Sequence, residues 1–120
     1  MAYDPNNIFA KILRGEIPCD KVYEDDFVLA FRDIRPQAKI HALVIPKGAY
    51  ESSQDFSSKA SEAEIVGLTR SIAKIADKLG VTESGYRLIA NAGLHSHQEV
   101  PHYHLHILGG QALGRMISLP

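Results

Sequence analysis

Apolar residues repeat along this chain at two spacings, and the places where one gives way to the other predict its elements. Ile8, Phe9, Ile12 and Leu13 recur at helical intervals after Asn7, a good helix N-cap, and Gly15 suits a left-handed stop. A short helix is expected there. Beyond Pro18 the pattern turns extended: Lys21 to Glu24 and Phe27 to Arg32 read as strands joined through Asp25 and Asp26. Asp33 to Gln37 is a break around Pro36, and His41 to Ile45 is a third strand ended by Pro46-Lys47-Gly48. The polar tract from Glu51 to Ser58 has too little apolar content for a long element and reads as a loop or a helical turn. Ser61-Glu62-Ala63-Glu64 has capping-box spacing, and Ile65, Leu68, Ile72, Ile75, Ala76 and Leu79 follow at intervals of three and four up to Gly80. That stripe predicts a long helix with Lys74, Asp77 and Lys78 on its wet side. Tyr86 to Ala90 and Tyr103 to Leu108 are expected as two more strands around a loop from Asn91 to Val100.

This order of elements, without repeated βαβ units, implies an α+β fold: a five-stranded, mostly antiparallel sheet with one long and one short helix. The length of 120 residues suits one domain, taken here as residues 1–120. A formal net charge of −1 provides no basic face for a nucleic-acid backbone, whose grip depends on counterion release. Cys19 is the single cysteine, which excludes an intramolecular disulfide or a thiolate metal cluster and fits a reducing compartment. Asp4, Pro5, Asn6 and Asn7 stand where a secretory leader needs basic and then apolar residues, and no run approaches the roughly 20 apolar residues of a membrane span. The expectation is a cytoplasmic protein without nucleic-acid or membrane partners, free to take a nucleotide-sized ligand.

The chemistry gathers in His102-Tyr103-His104-Leu105-His106. On a strand, alternate side chains share a face with Cα atoms about 6.6 Å apart, so three imidazoles are expected together on one face. Tyr103, Leu105 and Ile107 would then enter the core beneath the long helix. Imidazole, with a reference pKa of about 6.5, can act near neutral pH as nucleophile, proton carrier or donor. The chemical rival is zinc, because His-x-His on a strand also presents nitrogens to a metal. No acid stands within the triplet, Glu99 being the nearest, and the residues alone leave both readings open. His95 and His97 precede the triplet and could reach a leaving group, although loop histidines are ordinarily solvated. Cys19 has no motif around it that would make it a nucleophile.

The run His102-Tyr103-His104-Leu105-His106-Ile107-Leu108 before Gly109-Gly110 resembles the signature of the histidine-triad family, in which histidines alternate with apolar residues. Asn7 to Ile12 with Gly15 to Pro18, Ala30 to Ala38 and His41 to Lys47 are similar to its Hint branch, so the resemblance covers most of the chain. It implies that His104 is a nucleophile forming a nucleotidyl-imidazole intermediate, that His106 donates to the phosphate, and that His102 and His41 support the imidazoles. It further implies that Asp33 holds the ribose hydroxyls with Ile34 beside it, and that Ile8, Phe9, Ile12 and Phe31 wall a purine slot. Asn91 would contact the leaving side of the phosphate, and Gln98 and Glu99 belong to the loop over it. No cofactor and no metal are implied. The expected partners are a purine nucleotide substrate and a second copy of the chain, a homodimer that would also pair exposed sheet edges.

Departures from that pattern concern the leaving group. Glu99 stands where well-known Hint enzymes have serine, Ser96-His97 replaces a glycine-rich stretch, and the chain has no Trp to match the C-terminal tryptophan of some relatives. Asn7, Ala10 and Tyr50 occupy positions where other relatives bind a structural zinc, so those ligands are missing. The resemblance implies a purine nucleoside phosphoramidase; a dinucleoside polyphosphate hydrolase and a nucleotide-sensing binding module are the alternatives.

Overall fold

The computed structural model describes residues 2–117, so residues 1 and 118–120 of the expected domain lie outside the described residues. Five strands form the expected sheet: β1 (Lys21–Glu24), β2 (Val28–Arg32), β3 (Ile40–Pro46), β4 (Arg87–Ala90) and β5 (Leu105–Gly109). Their spatial order is β1-β2-β3-β5-β4, and every neighbouring pair is antiparallel. Three helices accompany it: α1 (Ile8–Leu13), α2 (Ser53–Lys59) and α3 (Glu62–Leu79). The fold is α+β, as the pattern predicted, with one short helix more than expected.

That extra helix, α2, lies in the polar tract. It has no apolar stripe for periodicity to detect. Ser52 caps its start through the Asp55 amide, Lys59 pairs with Asp55 at 2.9 Å, and Phe56 alone anchors it to the core against Tyr50 and Tyr103. By contrast, α3 shows the signals read for it. Both bonds of the Ser61–Glu64 capping box are made, and Gly80 ends the helix at φ 74°. Leu68, Ile75 and Ala76 of its stripe are buried, whereas Ile65 stays exposed at the stripe's edge.

Strand alternation divides the chain between two faces. Val28, Ala30, Val44, Leu105 and Ile107 join Leu68, Ile75 and Ala76 in one core beneath α3. Full burial of an aliphatic side chain stabilises by roughly 1.5–3 kcal/mol, so this long-helix face supplies most of the hold. Leu29, Phe31, Leu43 and Ile45 point the other way and meet Phe9 of α1. A helix of six residues covers only part of that second face, and an open cleft remains beside it.

One boundary differs in a way that matters. The last strand begins at Leu105 rather than Tyr103, because the Tyr103 amide donates to the Tyr50 carbonyl at 2.7 Å before the ladder with β3 starts. His102 and His104 therefore precede the strand. Among the described residues, no helix is long and apolar enough to cross a membrane.

Where α3 crosses the β1–β2 hairpin, Gly67 lies directly over Phe27. A Cβ at Gly67 would sit 2.5 Å from Phe27 Cγ and 2.9 Å from its Cβ, atoms that cannot swing away as a side-chain tip can. Gly67→Ala gains about 1 kcal/mol of helix propensity but meets an overpacking cost of about 1–3 kcal/mol. Denaturant titration should show net destabilisation, and in a Phe27→Ala background, which removes the ring and leaves only the Cβ contact, the same change should cost less. Equal effects in both backgrounds would place the constraint elsewhere.

Candidate active site

The cleft beside α1 has a volume of about 640 Å³. Its apolar wall contains Ile8, Phe9, Ile12, Phe31 and Ile34, all residues singled out in the sequence, and its polar side contains Asp33, His41, Asn91, Glu99, His104 and His106. Ile34 is 88 % exposed at the rim, an apolar side chain held in water where a flat ligand would cover it. His97 also lines the cleft and is the one non-glycine residue among those described with a left-handed φ, 59°.

Two predicted site residues lie elsewhere. Gln98 does not line the cleft. Its Oε1 accepts from the Gly93 amide, and its Nε2 donates to the carbonyls of Glu51 and Val100, so the side chain staples the loop it sits in. His102 does not share the open face with the other two triad histidines. It is fully buried behind them, because its ring is held between the Tyr3 hydroxyl of the N-terminal segment and the Pro46 oxygen.

The hydrogen-bond partners assign each imidazole its proton. Pro46 O lies 2.9 Å from His102 Nε2 and can only accept, so Nε2 carries the hydrogen and Nδ1 accepts from the Tyr3 hydroxyl at 2.6 Å. His104 Nδ1 donates to the main-chain oxygen of His102 at 2.8 Å. The Gln37 amide donates to His41 Nδ1 at 3.0 Å, so His41 Nε2–H donates to His106 Nδ1 at 2.9 Å. Leu43 faces His106 across the β3–β5 ladder, which makes His41 and His106 diagonal neighbours on one face. Of the eight ring nitrogens on these four residues, six are thereby paired and two remain, Nε2 of His104 and Nε2 of His106. Among the described residues, no buried side-chain nitrogen or oxygen lacks a partner, so both nitrogens reach the open cleft. His104 presents a lone pair there and His106 an N–H.

Burial keeps this cluster neutral. It pushes His102 and His104 below the ordinary histidine value, with the Pro46 and His102 carbonyls opposing the shift respectively. Burial also lowers His41, against the opposing charge of Asp33. His106 is pushed down to about 4, first by burial and then by its neighbours His104 and His41. Asp33 is itself fixed, accepting from the Arg35 amide at 2.8 Å while its other oxygen stands 3.5 Å from His41 Nε2.

The donor sets answer the zinc reading. A metal held by the three triad histidines would need a nitrogen of His102, and both are engaged. A different trio, Asp33, His41 and His106, brings its potential ligand atoms within 4.8 Å of one another. In that trio, His41 Nε2 carries a proton because Nδ1 accepts from Gln37, so it has no lone pair for a metal. Neither set fits a bound ion.

The HIT domain family model matches residues 14–113. The chain belongs to the HIT family. It is 49% identical over 111 residues to the purine nucleoside phosphoramidase of Escherichia coli, covering 92% of each chain. A histidine triad protein from Clostridium difficile superposes with a TM-score of 0.84 at 45% identity, over 95% of this chain and 98% of the other. A HIT family hydrolase from Clostridium thermocellum gives the same TM-score at 38% identity, over 94% and 97%.

This HIT site relies on groups that no residue pattern reveals. The Gln37 amide and the carbonyls of Pro46 and His102 set three of the four tautomers, and a main-chain group has no residue-type signature. Tyr3 lies 99 positions from its histidine partner.

The neutral cluster makes stability depend on pH with a definite sign. Folded pKa values lie below the unfolded value of about 6.5, so in that window the unfolded chain binds more protons and stability falls as pH falls. Thermal unfolding should be insensitive to these groups above pH 7 and shift to lower Tm from about 6.5 down towards 4, the value to which His106 is pushed. The slope should be shallower in His106→Gln. An unchanged slope would mean that His106 is not held neutral.

Proposed function

We propose that this protein is a hydrolase that cleaves purine nucleoside 5′-phosphoramidates through a nucleotidyl-histidine intermediate on His104. The observation that supports the reading most directly is the unpaired His104 Nε2 beside the free N–H of His106 in one cleft. The lone pair attacks the α-phosphorus and a P–N(imidazole) bond forms as the P–N bond to the amine breaks. The amine departs with a proton taken from solvent at the open side, which Asn91, His97 and Glu99 line. Positive charge developing on the His104 ring is met by the His102 carbonyl through Nδ1–H, and His106 Nε2–H donates to a phosphate oxygen. Water then attacks phosphorus, the P–N(imidazole) bond breaks as the P–O bond forms, and a proton of the water returns to solvent, which releases the nucleoside monophosphate and restores neutral His104. In this reading Asp33 accepts from the ribose hydroxyls, and Ile8, Phe9, Ile12, Phe31 and Ile34 hold the purine. The identity to a purine nucleoside phosphoramidase supports the choice of bond.

His104→Ala should lower kcat by roughly a thousandfold or more while adenosine monophosphate still binds, because Asp33 and the apolar wall remain. Acid quenching of the wild type during turnover should place a nucleotidyl group on His104, and chelators should leave the rate unchanged. Loss of activity on chelation, with stoichiometric zinc, would sink the proposal. A panel of adenosine 5′-phosphoramidate, a dinucleoside polyphosphate and an aminoacyl-adenylate would rank the leaving groups.

The functional unit proposed is a homodimer joined through the β4 edges. The β1 edge is guarded by the exposed charges of Lys21 and Glu24, whereas β4 exposes Leu88 (41 %), and Val66 of α3 is 52 % exposed. Light scattering should give twice the chain mass at micromolar concentration, and Leu88→Lys should shift it towards the monomer. A wild-type monomer would refute the dimer.

A further inference from the structure

We propose that Tyr3 is a positioning residue for the triad: its hydroxyl, on the N-terminal arm, holds the His102 ring whose main-chain oxygen orients His104. Nothing in the chemistry of the cleft calls for Tyr3, which does not line it. The argument begins from His102, which is fully buried and has no water to complete its bonding. With Nε2–H committed to Pro46 O, a neutral ring must accept at Nδ1, and a buried acceptor without a donor is strongly disfavoured. The Tyr3 hydroxyl fills that role at 2.6 Å, and its ring stands edge-on to the imidazole with centroids 5.6 Å apart.

The arm is itself anchored, so Tyr3 is presented at a definite place. Asn7 Nδ2 donates to Asp4 O at 2.7 Å, the Asn6 amide to Asp4 Oδ1 at 2.9 Å, and Arg14 Nη1 to Pro5 O at 2.8 Å. One turn further on, Phe9 meets the rings of His102 and His104 edge-on, at 6.4 Å and 5.0 Å between centroids. A tether thus runs from the Tyr3 hydroxyl through the His102 ring to the His102 carbonyl, and from there to His104 Nδ1. Loosening the ring loosens the oxygen that keeps the nucleophilic nitrogen aimed into the cleft. Since Tyr3 touches no part of the cleft, its loss should reduce turnover and spare ligand affinity.

The effect on turnover rests on the reading of His104 as nucleophile; the contact with His102 does not. The test is Tyr3→Phe in the full chain, which keeps the ring and removes only the hydroxyl. Steady-state hydrolysis of adenosine 5′-phosphoramidate should show kcat lowered about threefold to tenfold, the range expected for one hydrogen bond. KM and the Kd for adenosine monophosphate should stay within about twofold. In ¹⁵N spectra of histidine-labelled protein, the wild-type His102 Nδ1 should resonate as a hydrogen-bonded acceptor and in Tyr3→Phe as a bare one. Wild-type kcat in the variant, or a KM that rises as far as kcat falls, overturns the proposal. So does a wild-type His102 Nδ1 that carries a proton or accepts no bond, a measurement that needs no variant to fold. If the wild type hydrolyses no phosphoramidate, the functional reading fails, and the ¹⁵N signals alone decide whether Tyr3 holds His102.

Discussion

A single hydrogen bond, 2.8 Å from His104 Nδ1 to the main-chain oxygen of His102, determines what the cleft can do. A neutral imidazole has one proton and one lone pair, and giving the proton to an atom that can only accept leaves the lone pair at Nε2. The bond spans two residues of one segment and needs the His102 oxygen free of the sheet ladder. That freedom follows from the late start of β5 at Leu105, which in turn reflects the docking of the Tyr103 amide on Tyr50. A one-strand detail of main-chain pairing thus sets the chemical state of a side chain.

Two-residue periodicity then separates what stabilises the protein from what it exposes. Tyr103, Leu105 and Ile107 pass into the core under α3, and His104 and His106 emerge on the face that α1 only half covers. The same alternation brings His41 of β3 beside His106, so that one proton arrangement extends across two strands. Because α3 supplies the larger buried surface, the cleft face need not be closed for the sheet to hold.

Much of this was legible in the chain. The capping box and stripe of α3 and the alternation that sends Tyr103 and Leu105 inward rest on short-range spacing, whereas the grouping of Asp33 and His41 with His104 and His106 came from the family resemblance and not from any spacing. What was not legible involves partners distant in sequence or without a side-chain signature. Gln98 resembles a ligand-binding residue by position, yet its amide is taken by Glu51 O, 47 residues away. His102 reads as an equal member of an alternating set, but both of its ring nitrogens are taken by partners remote in sequence, the Tyr3 hydroxyl and the Pro46 oxygen. The helix α2 depends on one buried aromatic, Phe56, which no periodicity reveals.

Withdrawing four imidazoles from water is unfavourable to their charged forms, and that penalty is what leaves an uncharged nitrogen available at neutral pH without a separate base. Their neutral forms still carry polar atoms, and burying those without partners would be destabilising as well. The protein meets both demands by pairing every ring nitrogen that faces inward and leaving unpaired only the two that face the cleft. Four of the partners are not imidazoles, namely the Tyr3 hydroxyl, the Gln37 amide, the Pro46 oxygen and the His102 main-chain oxygen, so the site is held by the frame around it. For that reason the histidines cannot be treated as a motif transplantable by itself: on a strand lacking the Gln37 amide and the His102 oxygen, the same three residues would populate both tautomers. Lone pair and N–H would then exchange places from molecule to molecule, and the distinct proton states of His104 and His106 would be lost.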